Sequence, residues 1–551
     1  MRSLSIFEVR KSARAVFASL AVASLVAMSL AANAANLPIP PQTFNTQYAA
    51  PTGTTIAVNA GGDLQAALNS AHLGDTIVLQ AGSTFSGPFR LPNKSGNGWV
   101  YVQSSAYSSL PPPGTRVTPS NASNMPKIRG GSASETLLGT ADGAHHFRFV
   151  GIEITPDPGQ YVYDVITIGN NDATMTTLPH HITFDRCYIH GDPDRGARRG
   201  VAMNGAFVAV IDSYLSDFKE VGADSQALWA YNTPGPLKIV NDFLEAAGEN
   251  VLLGGAQSLN AAMNPSDIEI RNNHFYKPLA WVGSTWSVKN LLEFKNAFRV
   301  IVEGNTFENN WAAAQQGFAL LVTPRNEEGT APWEGTQDIA FHSNIGINFG
   351  SGINISGVDG NFGGNSSQRT KRILISNNVL QVTGANGADG RAFQILNGPQ
   401  DVTVDHNTFI AVGVLAMTDN ADVYRAENFV LSNNVFVSTS AGNNFIGSGT
   451  SDYRETIATY YTGATAQNNV ITNGNIYPFS SAAWPSGNFF PDTAASIQFV
   501  NYAAGDYRLA SGSPYKNRAT DGTDIGAIVG STVPPPRTAP PRPPQNVTIV
   551  Q

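Results

Sequence analysis

The sequence contains little that could cross-link the chain or charge its surface. Cys187 is the single cysteine among 551 residues, so no intrachain disulfide can form, and burial and hydrogen bonding must hold the fold together. Charged residues make up 13% of the chain, against about a quarter in ordinary domains, and the formal net charge is −8. This composition excludes a disordered chain and a nucleic-acid-binding protein.

Long apolar runs are also scarce. The one run of nearly bilayer length covers residues 15–32, follows several basic residues and ends in the small residues Ala32-Asn33-Ala34. This pattern predicts a signal peptide over residues 1–34. Its removal would leave a secreted protein, extracellular or periplasmic, with no membrane span; the alternative is an uncleaved anchor.

The next segment changes its periodicity. A polar leader over residues 35–60 precedes apolar residues that recur at helical spacing from Leu64 to Ala71, and Thr76 to Leu79 then follow a buried-strand pattern. We predict a helix over residues 63–71 that covers the open end of a stack of strands, which would otherwise expose its apolar interior.

A short phrase then recurs, in which alternating apolar residues lead to Asn or Asp, one further residue, and an aromatic or aliphatic residue. Successive copies lie 27 to 39 residues apart, which is about one coil of a solenoid. A second strand type between the copies predicts two strands per coil and about ten coils. The Asn or Asp positions, expected to form a buried amide ladder, are Asp212, Asn241, Asn273, Asn305, Asn344, Asn378, Asn407, Asn434 and Asn469.

These features together predict an all-β protein, a right-handed parallel β-helix with an N-terminal capping helix. The β-helix domain is expected over residues 61–530, and its far end is expected to be closed by the turn-rich segment 505–528. Residues 531–551 are a Pro-rich tail of polyproline type.

Three phrases carry a family resemblance: GDLQAAL…GDTIVL near the start, the repeated NNxF, and SPYKN…DGTDIGA near the end. In these the chain resembles the pectate-lyase superfamily of right-handed β-helices. That resemblance implies the fold, whereas lyases, hydrolases, esterases, epimerases and adhesins all use this scaffold. Function therefore has to be argued from a site.

The segment NLLEFKNAFRVIVEGNTFENNW, residues 290–311, resembles the alginate-lyase and chondroitinase B-like family, and the resemblance implies that Lys295 is the catalytic base. Two features depart from the family: no arginine follows Asn305 closely, and the acidic calcium ligands do not align around Asn290. Arg325, however, lies 30 residues after Lys295, about one coil, so we expect both side chains on one face.

Elimination from a uronate needs a base for the proton α to the carboxylate and a cation that stabilises the enolate. We therefore expect Lys295 as base with Arg325 assisting. Acidic and amide side chains near this pair are expected to contact substrate, and their oxygens could hold Ca²⁺. The predicted substrate-binding residues are Glu249, Asn250, Glu293 and Asn326. The alternative interpretation is a solvated salt-bridge ladder.

Other sites are less well supported by the sequence. The N-T-D, D-D, G-H-G and R-I-K phrases of galacturonan hydrolases are absent. His145-His146 and His180-His181 are chain neighbours, which in a strand point to opposite faces, so we expect them to be poor shared metal ligands. The sequence thus favours a secreted, monomeric lyase-like protein that cleaves a uronic-acid-containing polysaccharide. The competing hypothesis is a non-catalytic carbohydrate-binding or cell-surface β-helix.

Overall fold

The computed structural model describes residues 36–131, 135–359, 366–419, 424–438, 444–472 and 480–528. Three parallel sheets of 16, 13 and 12 strands run the length of the molecule, and the chain visits sheets 1, 2 and 3 in turn. Each strand pairs with its counterparts in the coils before and after it. The predicted right-handed parallel β-helix is confirmed.

The strands have the following bounds. Sheet 1 contains Thr55–Val58, Thr76–Leu79, Val100–Ser104, His145–Val150, His180–Asp185, Ala206–Ile211, Leu237–Val240, Ser266–Arg271, Ala297–Glu303, Thr336–His342, Lys371–Ser376, Gln400–Asp405, Ala426–Glu427, Val430–Ser432, Tyr461–Thr462 and Thr465–Gln467. Sheet 2 contains Thr84–Ser86, Lys127–Gly130, Glu153–Pro156, Tyr188–His190, Tyr214–Phe218, Phe243–Ala246, His274–Tyr276, Thr306–Glu308, Ile345–Phe349, Val379–Val382, Thr408–Val412, Val435–Ser438 and Val470–Ile471. Sheet 3 contains Phe89–Leu91, Leu138–Thr140, Asp164–Ile168, Arg199–Met203, Gln226–Ala230, Glu249–Leu253, Leu292–Phe294, Phe318–Val322, Ser351–Ser356, Arg391–Leu396, Val414–Asp419 and Phe445–Gly447.

The prediction of two strands per coil was wrong, because the recurring phrase contains two strands. In the copy at residues 266–276, Ser266–Arg271 belongs to sheet 1 and His274–Tyr276 to sheet 2. Asn272 and Asn273 form the corner between them, with Asn272 at a positive φ of 57°. The second strand type, which lies between the phrases, supplies sheet 3.

The predicted amide ladder lies at this corner. The Nδ2 of Asn344 donates to the Oδ1 of Asn378 at 3.0 Å, and the Nδ2 of Asn378 donates to the Oδ1 of Asn407 at 2.9 Å. The same contact continues through Asn434 and Asn469. The side chain of each is inaccessible to solvent, so each coil is bonded to the next through its interior.

Two members of the ladder were assigned wrongly. Asp212 and Asn241 occupy the positive-φ corner position, with φ of 54° and 60°. Their successors Ser213 and Asp242 accept the interior bonds instead: the Oδ1 of Asp242 accepts from the N–H of Ser213 at 2.7 Å. The phrase KIVNDF has its aromatic residue directly after the ladder position, so counting back two residues from Phe243 gives the wrong register.

Asn378→Ala should lower the free energy of unfolding by about 1–3 kcal/mol, since it leaves buried partners without hydrogen bonds. The side chain of Asn378 accepts from the backbone N–H and the Nδ2 of Asn344, and donates to Asn407 and to the carbonyl of Phe341. Denaturant titration measures the loss. An unchanged midpoint in that titration would contradict a structural role, and Asn59→Ala, at an exposed asparagine outside the ladder, is the control.

The N-terminal end is covered as predicted. The α-helix Leu64–Ser70 begins at Asp63, whose side chain accepts from the N–H of Ala66, and it buries Leu64, Ala67 and Leu68 against the first coil. Short 3₁₀ helices lie elsewhere in corners and loops, at Tyr107–Ser109, Pro119–Asn124, Ala261–Met263, Leu279–Trp281, Glu327–Gly329, Ala385–Gly387, Ser481–Ala483, Ala494–Ile497 and Tyr502–Ala504.

The far end is not closed by residues 505–528, and that prediction was wrong. The α-helix Tyr453–Tyr460, together with Trp484, packs onto the interior core there. Segment 505–528, with its antiparallel strand pair Phe499–Asn501 and Asp506–Leu509, lies against the outer face of sheet 2. Its apolar residues cover outward-facing valines of that sheet, which would otherwise be exposed to solvent.

The predicted leader is part of the folded body. Thr55–Val58 is the first strand of sheet 1, and the preceding residues run along the outer face of that sheet. The N–H of Ile39 donates to Asp338, and the carbonyl of Thr46 accepts from Arg148. The predicted signal peptide and Pro-rich tail lie outside the described residues. Within the described ranges, no helix has the length and apolar character needed to cross a bilayer.

Candidate functional site

Lys295 and Arg325 lie in one groove on the outside of sheet 3. Lys295 follows the strand Leu292–Phe294, and Arg325 follows the next strand of the sheet, Phe318–Val322. The N–H of Arg325 donates to the carbonyl of Lys295 at 2.9 Å, which joins the two coils directly below the groove. The groove has a volume of about 310 Å³, and its lining also includes Glu293, Gln315, Thr323, Asp359 and Asn397.

Glu293 lies beside Lys295 and is 3% exposed. Its Oε1 is 4.0 Å from the Nζ of Lys295 and accepts from the Oγ1 of Thr323 at 3.4 Å. Its Oε2 accepts from the Nδ2 of Asn290 at 2.8 Å. Glu293 is therefore held in place on both sides, with one carboxylate oxygen facing Lys295.

Arg325 is held by a carboxylate from the next coil. Its Nη1 donates to the Oδ1 of Asp359 at 3.3 Å, while the Oδ2 of Asp359 accepts from the N–H of Asn326 at 3.0 Å. Arg325 is the more open member of the pair, with 43% of its side chain exposed. Sequence reasoning missed Asp359, although its position 34 residues after Arg325 is a coil-spacing signal of the kind that identified Arg325.

Asn250 and Asn326 do not line the groove, so the prediction that they contact substrate was wrong. Asn250 is inaccessible and donates through Nδ2 to the carbonyls of Leu244 at 2.6 Å and Tyr276 at 2.9 Å, inside the helix. Asn326 is equally buried and accepts from the N–H of Ala331 at 2.6 Å, which stabilises the loop after sheet 3. Both side chains are structural.

Glu249 lies on the outer face of sheet 3 but beneath its surface, with no exposed area. Its Oε2 accepts from the Nε2 of Gln226 at 2.8 Å, and its Oε1 is 3.5 Å from the Nζ of Lys289. Burial, together with the charges of Asp224 and Glu293, raises the pKa of Glu249 to about 7. A direct substrate contact is therefore excluded for Glu249, which instead contributes charge below the groove.

Two oxygens near the groove accept no hydrogen bond from the described residues: the Oε1 of Glu249 and the Oδ1 of Asn290. Buried acceptors without partners are costly, and a cation would satisfy them. Carboxylate and amide oxygens, such as these and those of Glu293, are the hard donors that Ca²⁺ prefers. The ammonium of Lys289 already supplies one positive charge at Glu249, so any metal would have to displace or share that contact.

A buried pair of aromatic rings lies on sheet 3 toward the N-terminal end. The rings of Trp229 and Tyr231 stack 4.7 Å apart, and the guanidinium of Arg199 lies 3.9 Å from the centre of the Trp229 ring. The hydroxyl of Tyr231 donates to Asn171, which lines a larger cavity of about 660 Å³ on the same side of the helix. Sheet 3 therefore has polar concave surface over several successive coils.

The fold on which this site lies defines the class of protein as a right-handed parallel β-helix. Solved structures that are similar to it include polysaccharide lyases. A family PL6 alginate lyase solved with a trisaccharide is 11% identical, over 87% of this chain and 96% of that chain, with a TM-score of 0.50. The PL6 alginate lyase AlyGC is 13% identical, over 87% of this chain and 59% of that chain, with a TM-score of 0.48.

A mannuronic-acid-specific PL6 lyase from human gut microbiota is 11% identical, over 80% of this chain and 92% of that chain, with a TM-score of 0.45. No protein-family model and no curated protein matches the chain. The similarity to the lyase solved with a trisaccharide shows a shared fold and nothing about the chemistry of this chain.

Proposed function

We propose that this protein is a secreted lyase that cleaves a uronic-acid-containing polysaccharide by β-elimination. The observation that carries the proposal is the placement of Lys295 and Arg325 side by side in one groove, from adjacent coils of sheet 3. Secretion rests on the sequence of residues 1–34, and we expect the mature protein to act as a monomer on an acidic polysaccharide.

In the proposed reaction the neutral amine of Lys295 removes the proton α to the uronate carboxylate. The electron pair left on carbon forms a double bond as the bond to the glycosidic oxygen breaks, and that oxygen takes up a proton from the Lys295 ammonium or from water. Arg325, whose guanidinium faces the groove, neutralises the carboxylate while the enolate forms. Asp359 accepts a hydrogen bond from Arg325, and Glu293 lies 4.0 Å from the Nζ of Lys295, so each side chain has an acidic neighbour at the groove.

A screen of the mature protein against alginate, pectate and glycosaminoglycans tests this proposal, because the unsaturated product absorbs in the ultraviolet. We expect absorbance to grow with one class of polyuronate. The competing function, carbohydrate binding without cleavage, is favoured by the polar concave surface of sheet 3, with its cavity of about 660 Å³. Binding to a polyuronate without any unsaturated product would favour that second function and contradict the lyase.

We further propose that Ca²⁺ binds near the groove, with Glu249, Asn290 and Glu293 as its ligands. Bound there, Ca²⁺ would reduce the repulsion between buried carboxylates and an anionic substrate. Metal-free protein should gain about 2–4 °C in melting temperature when Ca²⁺ is added well above its Kd. Differential scanning calorimetry with Ca²⁺ and with a chelator measures the change.

Glu249→Gln should abolish the calcium response, because it removes a charged ligand. The matched control is Glu245→Gln, at a carboxylate on sheet 2 whose pKa burial also raises to about 7. That control should keep the response. An identical melting temperature with Ca²⁺ and with chelator in the unsubstituted protein would remove the metal from the proposal and leave Lys289 as the compensating charge.

A further inference from the structure

Four histidines form a cluster at the beginning of two adjacent strands of sheet 1, His145–Val150 and His180–Asp185. His145 and His180 are register partners in neighbouring strands, and their rings stack at 4.8 Å with an interplanar angle of 3°. His146 and His181 stack in the same way, at 4.5 Å and 4°. One ligand nitrogen from each of His145, His146 and His180 lies within 4.8 Å of the other two.

The expectation that these chain neighbours point to opposite faces was wrong. It assumes regular strand alternation, but His146 and His181 have positive φ values of 59° and 55°. This left-handed backbone turns each of them toward the side of its predecessor. The Nδ1 atoms of His145 and His146 are consequently 2.8 Å apart, as are those of His180 and His181.

A backbone carbonyl sets the tautomer of His145. The Nε2 of His145 lies 2.7 Å from the carbonyl oxygen of Lys94, which can only accept, so Nε2 carries the proton. The lone pair of His145 is then on Nδ1, which faces into the cluster, 2.8 Å from the Nδ1 of His146. A metal-binding histidine is held in the same way, with its second nitrogen donating to a carbonyl.

Neighbouring rings hold the other imidazoles in place. The ring of Phe207 stacks on His181 at 4.3 Å, and Trp99 meets His146 edge-on at 5.1 Å. All four histidines are partly exposed, so an ion can enter from solvent.

We propose that His145, His146 and His180 bind one divalent transition-metal ion, with Zn²⁺ as the ion used to test it. Imidazole nitrogens suit Zn²⁺, Cu²⁺ and Ni²⁺, whereas Ca²⁺ and Mg²⁺ take oxygen ligands. Tetrahedral Zn²⁺ places neighbouring nitrogens about 3.3 Å apart, so the His145 and His146 pair must open by about 0.5 Å, a small ring rotation. The ion would join two coils independently of the groove on sheet 3.

Isothermal titration of the metal-free chain, without a histidine tag, with ZnCl₂ tests the site. We expect about one ion per chain. His145→Phe and His180→Phe keep the stacked rings but remove the nitrogens, and each should weaken binding by about 100-fold or more. The matched control is His342→Gln, a partly buried histidine of sheet 1 several coils away, which should bind Zn²⁺ as the unsubstituted chain does.

Circular dichroism of both phenylalanine variants verifies that they fold. Zinc X-ray absorption on the unsubstituted protein does not depend on any variant, and it should show imidazole scattering at about 2.0 Å. Absence of imidazole scattering would overturn the proposal. Zn²⁺ affinity unchanged in both folded phenylalanine variants would overturn it as well, since the ion would then be bound elsewhere.

Discussion

Lys295→Ala should abolish formation of unsaturated product while the protein remains folded. A base positioned for proton transfer contributes about 10²–10⁴-fold to a rate, and no second lysine is among the residues that line the groove. The stability cost should be small, because the side chain is partly exposed and its ion pair with Glu293 is 4.0 Å long. Initial rates of absorbance increase on the substrate found in the screen measure the loss.

The matched control is Lys371→Ala, at a partly buried lysine on sheet 1 and thus away from the groove. It should keep full activity and a similar melting temperature. Activity retained in folded Lys295→Ala would remove Lys295 from the mechanism and leave Arg325 as a substrate-binding residue only. A loss of activity in Lys371→Ala of the same size would show that the assay follows stability and not chemistry.

The fold could be predicted from the sequence because a β-helix repeats one set of local requirements in every coil. Each corner needs a residue that tolerates positive φ followed by one that bonds to the next coil, and that pair is visible as Asn272-Asn273 or Asn377-Asn378. The helix Leu64–Ser70 was predictable because its apolar spacing changes abruptly into that of a strand. These signals are local in the chain.

The candidate site was predictable only where spacing by one coil determines position. Lys295 and Arg325 follow matching strands, so counting residues was enough to bring them together. Asn250 was predicted on the wrong face because the side chains do not alternate regularly at the beginning of its strand. Asn250 and Val251 both point inward there, as Ala227 and Leu228 do one coil earlier, and strict alternation fails.

The failure of strict strand alternation also explains the histidine cluster, where positive φ at His146 turns its side chain to the side opposite to the expected one.

Contacts between segments far apart in the chain were the second feature that the sequence did not predict. The run of residues 39–49 along sheet 1 and the packing of residues 505–528 on sheet 2 join segments far apart in the chain, and no repeat signals such contacts. The position of an irregular segment on a solenoid depends on which apolar or polar surface the regular coils leave uncovered.

One cluster of buried charged side chains joins such irregular segments to sheet 1, and removing its carboxylate should lower the stability of the protein strongly. Asp185 is 1% exposed and accepts from Arg148 at 2.8 Å and from Arg186 at 2.7 Å. The two guanidinium groups, also buried, donate in turn to the carbonyls of Thr46 in the leader and Pro111 in a loop. Asp185 therefore connects two irregular segments to sheet 1.

Asp185→Ala should lower the free energy of unfolding by about 3–5 kcal/mol, because two buried cations lose the carboxylate that they share. Denaturant titration followed by tryptophan fluorescence measures this, with Asp524→Ala, at a partly exposed pair with Lys516, as a control that costs less than about 1 kcal/mol. The triple variant with Asp185→Leu, Arg148→Met and Arg186→Met should recover much of the lost free energy of unfolding, since apolar residues leave no unpaired charge. A triple variant as unstable as Asp185→Ala would show that the bonds to Thr46 and Pro111, not the buried charges, hold these segments in place.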